Sequence, residues 1–330
     1  AVANTVAKVV KHDAEGVAVV FAALIAAITW NYLTWYIGMP SSSSHAIIGG
    51  LVGAGLAAGG LSAINWGVVQ TALIAIVVSP MVAFTVAFLA MLGLSRLQRR
   101  LRVPDDAKAF KGMQLLSAAA VAFGHGGNGA QKTMGSIAAG MPAGEYATLR
   151  PDGNLHIGWW IPFLAYSAIA IGTVWGGWKI IETMGLRITS LRASSGLAAN
   201  IGAVSAIFGA TGMGIPISTT HAAASSVTGS GVASGQGVNL RVVMEMVAAW
   251  VITIPSTVII GWLMYQLTQL PGVAAWIAVG SVLFVLGGWI AWAMARALHA
   301  SDVAAEIPTE EELREPVSAI PHLEGHAPVE

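Results

Sequence analysis

Residues Gly38–Gly59 read GMPSSSSHAIIGGLVGAGLAAG, and residues Gly214–Gly235 read GIPISTTHAAASSVTGSGVASG. Nine of the 22 aligned positions are identical, among them Pro40/Pro216, Ser42/Ser218 and His45/His221. Proline suits the first turn of a helix and a hydroxyl residue suits its cap, so each stretch predicts a chain break followed by a helix start. Both lie in strongly apolar surroundings, where an unsatisfied hydroxyl is costly. Two such clusters, one in each half of the chain, predict an internal duplication with a polar site where the halves meet.

Those surroundings decide the fold class. The chain has 330 residues, of which 55% are hydrophobic and 10% charged; soluble domains average about 25% charged residues. Val17–Ser95 contains no Asp, Glu, Lys or Arg, and neither does Met246–Ala295. One span needs about 20 apolar residues, so each stretch holds more than one. The expected fold is all-α: a polytopic helical membrane protein, embedded in a lipid bilayer, with an internal, inverted repeat and broken or re-entrant helices. Net charge is zero, so no nucleic-acid partner is expected. The absence of cysteine excludes disulfides and thiolate metal sites, and no metal or organic cofactor is expected.

Working outward, residues 1–95 read as a first transmembrane repeat. Its opening AVANTVAKVV looks like the end of an apolar helix, so this repeat is expected to be N-terminally incomplete. Val17–Ile37 is long enough to span, with Trp30, Tyr32, Trp35 and Tyr36 as interface anchors. Trp66–Leu94 is a second span, with a kink expected at Pro80. Residues 96–112 read as a basic loop holding six of the 16 basic residues, which the positive-inside rule places in the cytoplasm. Residues 113–298 form the second repeat. There, Met113–Met141 is expected to be interrupted at GHGGNGAQK, and a polar loop covers Pro142–His156. Gly158–Gly177 reads as a span, Trp178–Ser194 as a basic connection, and Arg241–Leu267 and Val273–Ala295 as the last spans. Asn65-Trp-Gly-Val-Val followed by Pro80 parallels Asn239-Leu-Arg-Val-Val followed by Pro255. Residues 299–330 read as an acidic, disordered tail.

A helix that starts inside the membrane directs backbone N–H groups and the positive end of its dipole at one point. Ser42, Ser43 and Ser44 add hydroxyls at the first start; Ser218, Thr219 and Thr220 add them at the second. Two such ends facing each other would hold an oxyanion without Arg or Lys, and these six residues are the expected cradle. His45 and His221 are expected to shape it. No acid lies near either in sequence and no G-x-S-x-G elbow is present, which argues against a hydrolase, so no enzymatic activity is expected. The segment Gly124–Lys132 is Gly-rich, and such backbone at membrane depth is tolerated where it lines a cavity. Asn128 and Gln131 offer donors and acceptors to an anion. Asn128 and the backbone at Gly129 offer oxygens to a cation, and His125 is a further site-shaping residue. For Lys132 a substrate contact stands against snorkelling to the membrane interface, and snorkelling is the expectation.

At these residues the chain resembles the inorganic phosphate transporter family. PSSSSHAIIGGLVGAGLA and PISTTHAAASSVTG resemble its paired S-[ST]-[ST]-H motifs, and FGHGGNGAQKTMG, Phe123–Gly135, resembles its F-S-H-G-x-N-D-A-Q-K-x-x-G signature. GGWKIIETMGLRITSL, Gly176–Leu191, resembles a later stretch, and the likeness runs over nearly all of Ala1–Leu298 in the same order. The resemblance implies an inverted-repeat secondary transporter of inorganic phosphate, coupled to Na⁺ or H⁺ and working by alternating access. It also implies a multi-pass protein of a bacterial inner membrane and leaves room for a homo-oligomer. Two departures stand out. The first-half counterpart of the N-D signature is absent, and Gly129 stands where the family has Asp, a residue expected to serve cation coupling. Competing readings are a transporter of another oxyanion such as sulfate, and a non-transporting binding protein or inactive fragment.

Overall fold

The computed structural model describes residues 2–11, 16–104, 107–140, 147–149, 155–297 and 300–305. Apart from a two-stranded hairpin, Ala147–Leu149 against Leu155–Ile157 with Thr148 opposite His156, its regular elements are helices. In chain order they are α1 (Val2–Ala7), α2 (Val17–Tyr36), α3 (Ser43–Gly59), α4 (Trp66–Leu101) and α5 (Lys108–Gly140). After the hairpin come α6 (Trp160–Trp175), α7 (Trp178–Glu182), α8 (Ala193–Gly212), α9 (Thr219–Ser234), α10 (Leu240–Thr268), α11 (Val273–Ala295) and α12 (Ala300–Ala305). Among the described residues, six stretches are long and apolar enough to cross a membrane, in α2, α3, α4, α8, α10 and α11. Helix α11 buries almost nothing: Phe284 is 83% and Trp276 81% exposed. Large apolar side chains turned outward in this way face lipid, which makes the chain a multi-pass membrane protein.

Two turns, one in each half, share the same backbone geometry. In the first half, α2 ends at Gly38, which has φ 73°, and the Met39 N–H donates to Thr34 O. In the second, α8 ends at Gly214 with φ 71°, and the Ile215 N–H donates to Ala210 O. Only glycine adopts this left-handed backbone without a steric cost, and it ends each helix. The chain then turns back through Pro40 or Pro216 into α3 or α9. Thus α2–α3 and α8–α9 are two helical hairpins.

Each hairpin packs on the long proline-bearing helix of the other half, α3 along α10 and α9 along α4. Small residues make this possible. A Cβ on Gly53 would fall on the Val258 carbonyl of α10, and one on Gly229 would fall on the Phe84 carbonyl of α4. The hairpins enter from opposite ends of α4. The open end of the first lies by the start of α4, where Val10 bridges Ile64 and the Asn65 N–H donates to Val9 O. The open end of the second lies by the finish of α4, where Ser194, Ser234 and Gln236 share a cavity with Arg99 and Arg102. A helix of 36 residues is about 54 Å long, so the two hairpins approach from far apart and their tips meet between.

Three boundaries differ from the sequence reading. Helix α4 continues through Arg96, Arg99 and Arg100 to Leu101, and α5 begins at Lys108. The expected basic loop over 96–112 is therefore mostly helix, and cations in a last turn complement the helix dipole. The GHGGNGAQK segment does not interrupt α5, which runs unbroken to Gly140; with no water to compete for its backbone, a helix within a bilayer tolerates glycine. The tail starts with α12, and residues 306–330 lie outside the described residues. Helix α6 and the stretch Trp178–Arg187 meet at 71°, the geometry of a broken span or a re-entrant loop.

Candidate functional site

Each hairpin tip is a helix start of the expected kind. Ser42 caps α3, its Oγ accepting from the His45 N–H at 3.2 Å. Ser218 caps α9, its Oγ accepting from the His221 N–H at 3.1 Å. The tips meet. The His45 and His221 rings lie edge to face with centroids 4.4 Å apart, and Ser44 Oγ donates across to Ile217 O at 2.8 Å. His221 also stacks on Trp250 of α10 at 3.9 Å, and the Trp250 Nε1–H reaches back to Pro40 O at 3.1 Å. Ser42, Ser44, Ser218 and Thr219 are buried, Thr220 is half-buried and Ser43 is exposed.

Helix α5 completes the cluster. Asn128 and Lys132 stand one helical turn apart and so share a face. Asn128 is fully buried, and its Nδ2 donates to Thr211 Oγ1 at 2.8 Å, next to the second tip. Lys132 is 2% exposed, and its Nζ donates to Ile217 O at 2.8 Å, the carbonyl that also accepts from Ser44. This overturns the snorkelling expectation: α5 continues eight residues beyond Lys132, so the side chain has no nearby interface to reach. It also sets a Lys against the second hairpin tip, where none was expected. The acids among the described residues are Glu182, Glu245 and Asp302. Glu182 pairs with Arg187, and Glu245 with Arg241, and among the described residues no ion pair involves Lys132. Burying an ammonium without an anion costs several kcal/mol.

Among the described residues, four buried imidazole nitrogens, those of His45 and His221, have no hydrogen-bond partner, and neither has Asn128 Oδ1. Native interiors satisfy nearly all such groups, so a concentration of exceptions at one point marks atoms that serve something other than the fold. The junction thus holds one cation, two helix N-termini and a hydroxyl cluster, a donor set suited to an oxyanion.

Two expected residues stand elsewhere. Gln131 is half-buried, and its Oε1 accepts from the Val2 N–H at 3.1 Å, which turns it to α1. Gly129 lies inside the unbroken helix, where its carbonyl serves the helical ladder, and a Cβ there would lie 3.3 Å from Ile169 Cδ1 of α6. His125 is exposed, two turns before Lys132. Among the described residues no group of His, Asp or Glu is arranged to hold a metal ion. Sequence reasoning missed Thr211 and Trp250 and set Lys132 at the interface instead of the junction. Only for Lys132 was a signal present, in its four-residue spacing from Asn128.

The profile of the Phosphate transporter family matches residues 1–107 and 99–261. The chain belongs to the phosphate transporter family. Among curated members, a "Probable low-affinity inorganic phosphate transporter" of Rhizobium meliloti (strain 1021) is 44% identical over 249 residues, covering 75% of this chain and 73% of the relative. One of the same description from Bacillus subtilis (strain 168) is 38% identical over 252 residues, covering 76% and 74%. A solved structure described as "The sodium-dependent phosphate transporter" superposes with a TM-score of 0.69 at 24% identity, over 82% of this chain and 85% of that one. That likeness shows the fold. As a family member from this company of bacterial relatives, the chain fits the plasma membrane.

Proposed function

We propose that this protein carries inorganic phosphate across the membrane, and that the junction of the two hairpin tips is where phosphate binds. The observation that carries this reading is Lys132, a buried cation with no carboxylate partner among the described residues, set between two capped helix starts. In this reading the Lys132 ammonium, the hydroxyls of Ser42, Ser43, Ser44, Ser218, Thr219 and Thr220, and Asn128 are the substrate contacts. The imidazoles of His45 and His221 supply further nitrogens able to donate or accept, which suits an anion that still carries an O–H. Lys132 gives the cradle a fixed charge, and the remaining contacts are neutral, so release stays feasible.

The hairpins enter from opposite ends, so the halves form an inverted repeat. Rocking one hairpin against the other exposes the junction to each side in turn, which is alternating access. A Na⁺ or H⁺ gradient drives the cycle. The cation contact shifts from the Gly129 backbone, engaged in its helix, to Asn128 Oδ1. The test is uptake of labelled phosphate by the purified protein in liposomes, with imposed Na⁺ or H⁺ gradients. Competition by unlabelled phosphate but not by sulfate is expected. Competition by sulfate alone overturns the substrate assignment, and uptake indifferent to both gradients overturns the coupling.

A further inference from the structure

A cavity of about 200 Å³ lies against the first hairpin tip. The turn Gly38–Pro40 lines it, together with Thr183 and Arg187, and with Glu245 and Met246 of α10. These walls are tied to one another. Thr183 Oγ1 donates to Gly38 O at 2.9 Å, and the Asn239 N–H, just before α10, donates to Ile188 O at 2.9 Å. Residues Thr183–Arg187 wind as a single π-helical turn, a rare form that gathers at functional sites.

The cavity is open to one side of the tips. Glu245 and Met246 fall in the first two turns of α10, which starts soon after Ser234 and Gln236, the residues that lie by Arg99 and Arg102 at the finish of α4. The cavity is therefore on the side at which α4 ends. From it a short series of contacts runs inward. Pro40 lines the cavity, the Pro40 carbonyl accepts from the Trp250 Nε1–H at 3.1 Å, and the Trp250 indole stacks on His221 at 3.9 Å. Met246 and Trp250 stand one helical turn apart on α10 and so share a face.

We infer that this cavity is the vestibule through which phosphate passes between the junction and the face of the membrane at which α4 ends, with the Trp250 indole as the partition between them. The inference rests on the junction being the phosphate site. A water molecule takes about 30 Å³ of liquid volume, so the space admits a tetrahedral oxyanion that keeps part of its hydration. Arg187 offers a guanidinium, the group best matched to phosphate oxygens. Its charge is balanced by Glu182 at 3.9 Å, and the Glu245 carboxylate is balanced by Arg241 at 3.1 Å. A passage lined in this way draws an anion in without trapping it. The partition is light: the indole is held to the first tip through its N–H and to the second through its ring, so swinging it aside joins the vestibule to the junction.

Thiol chemistry tests this, since the chain contains no cysteine. Met246→Cys places a thiol in the cavity wall at a position 1% exposed. The purified full chain is treated with a negatively charged thiosulfonate, the extent of modification is read by mass spectrometry, and uptake of labelled phosphate is measured after reconstitution into liposomes. The adduct is expected to abolish uptake, and dithiothreitol, which removes the adduct, is expected to restore it. The same adduct on Met244→Cys, two residues away and 63% exposed, is expected to leave uptake unchanged. Trp250→Ala is expected to speed modification of Thr220→Cys at the second tip severalfold. A Met246→Cys thiol that the reagent does not reach, or uptake that survives complete modification, overturns the vestibule. A Thr220→Cys rate that Trp250→Ala leaves unchanged overturns the partition. Glu245→Cys, at an exposed position in the same wall, gives the same readout should Met246→Cys misfold. Absence of phosphate uptake by the unsubstituted protein is a different result: it overturns the transport reading, and the vestibule falls with it.

Discussion

The two hairpin tips share a backbone and differ in chemistry. Gly38 and Gly214 end their first helices in the same conformation, and Ser42 and Ser218 cap the second ones through the same bond. Even the outer contacts are reciprocal: Thr183 Oγ1 donates to Gly38 O, and Thr5 Oγ1 donates to Gly214 O. Yet the Pro40 carbonyl of the first tip accepts from an indole, Trp250, while the Ile217 carbonyl of the second accepts from an ammonium, Lys132. The scaffold and the capping hydroxyls are thus common to both tips. Trp250 of α10 touches both tips, donating to Pro40 O and stacking on His221, whereas the Lys132 ammonium of α5 reaches the second. An oxyanion held between them meets its fixed positive charge from one side only.

The charged tip is the place to break this asymmetry. Lys132→Gln removes a charge-assisted donor worth about 1.5–3 kcal/mol, so phosphate uptake in liposomes should fall on the order of 10- to 100-fold. Lys132→Met should do the same while raising thermal stability, since it replaces a buried unpaired charge with an apolar chain of similar length. A melting temperature that drops along with uptake would instead make Lys132 a structural residue.

The shared scaffold makes the next prediction. Gly53→Ala and Gly229→Ala each drive a Cβ onto a backbone carbonyl of the facing helix, and overpacking of this kind costs about 1–3 kcal/mol. The two should destabilise alike in thermal unfolding. A marked inequality would show that the hairpins are not equivalent supports.

Much of this was legible because capping is local chemistry. Pro, a hydroxyl and a following helix announce a start wherever they occur, and the pairing of Ser42 with Ser218 and His45 with His221 needed only alignment. The errors arose where the bilayer changes the rules. Gly124, Gly126, Gly127 and Gly129 suggested a broken helix because glycine costs about 1 kcal/mol per residue in water, a cost that shrinks when water cannot solvate the backbone. That assumed break also hid Lys132, whose shared face with Asn128 exists only if α5 is continuous. Trp250 was not legible at all, since its contact with His221 depends on how α10 crosses the other half.

Smaller effects sharpen the comparison. Ser42→Ala and Ser218→Ala each remove a cap worth about 1 kcal/mol. Their stability losses in thermal unfolding should match, while Lys132 beside the second tip should make Ser218→Ala the more harmful to uptake. Trp250→Phe keeps the stack on His221 and deletes the N–H to Pro40 O, about 0.5–1.5 kcal/mol. A severalfold change in the apparent phosphate affinity is expected, with the fold unaltered by circular dichroism.

The central claim is that phosphate occupies the junction of both tips. The chain contains no cysteine, so a single cysteine at Ser43 or at Thr220 reports on one tip at a time. The decisive measurement is the rate of thiol modification of Ser43→Cys and of Thr220→Cys in reconstituted protein, with and without phosphate. The account predicts that phosphate slows modification at both positions and that sulfate slows neither. Rates at both positions that phosphate leaves unchanged would contradict it.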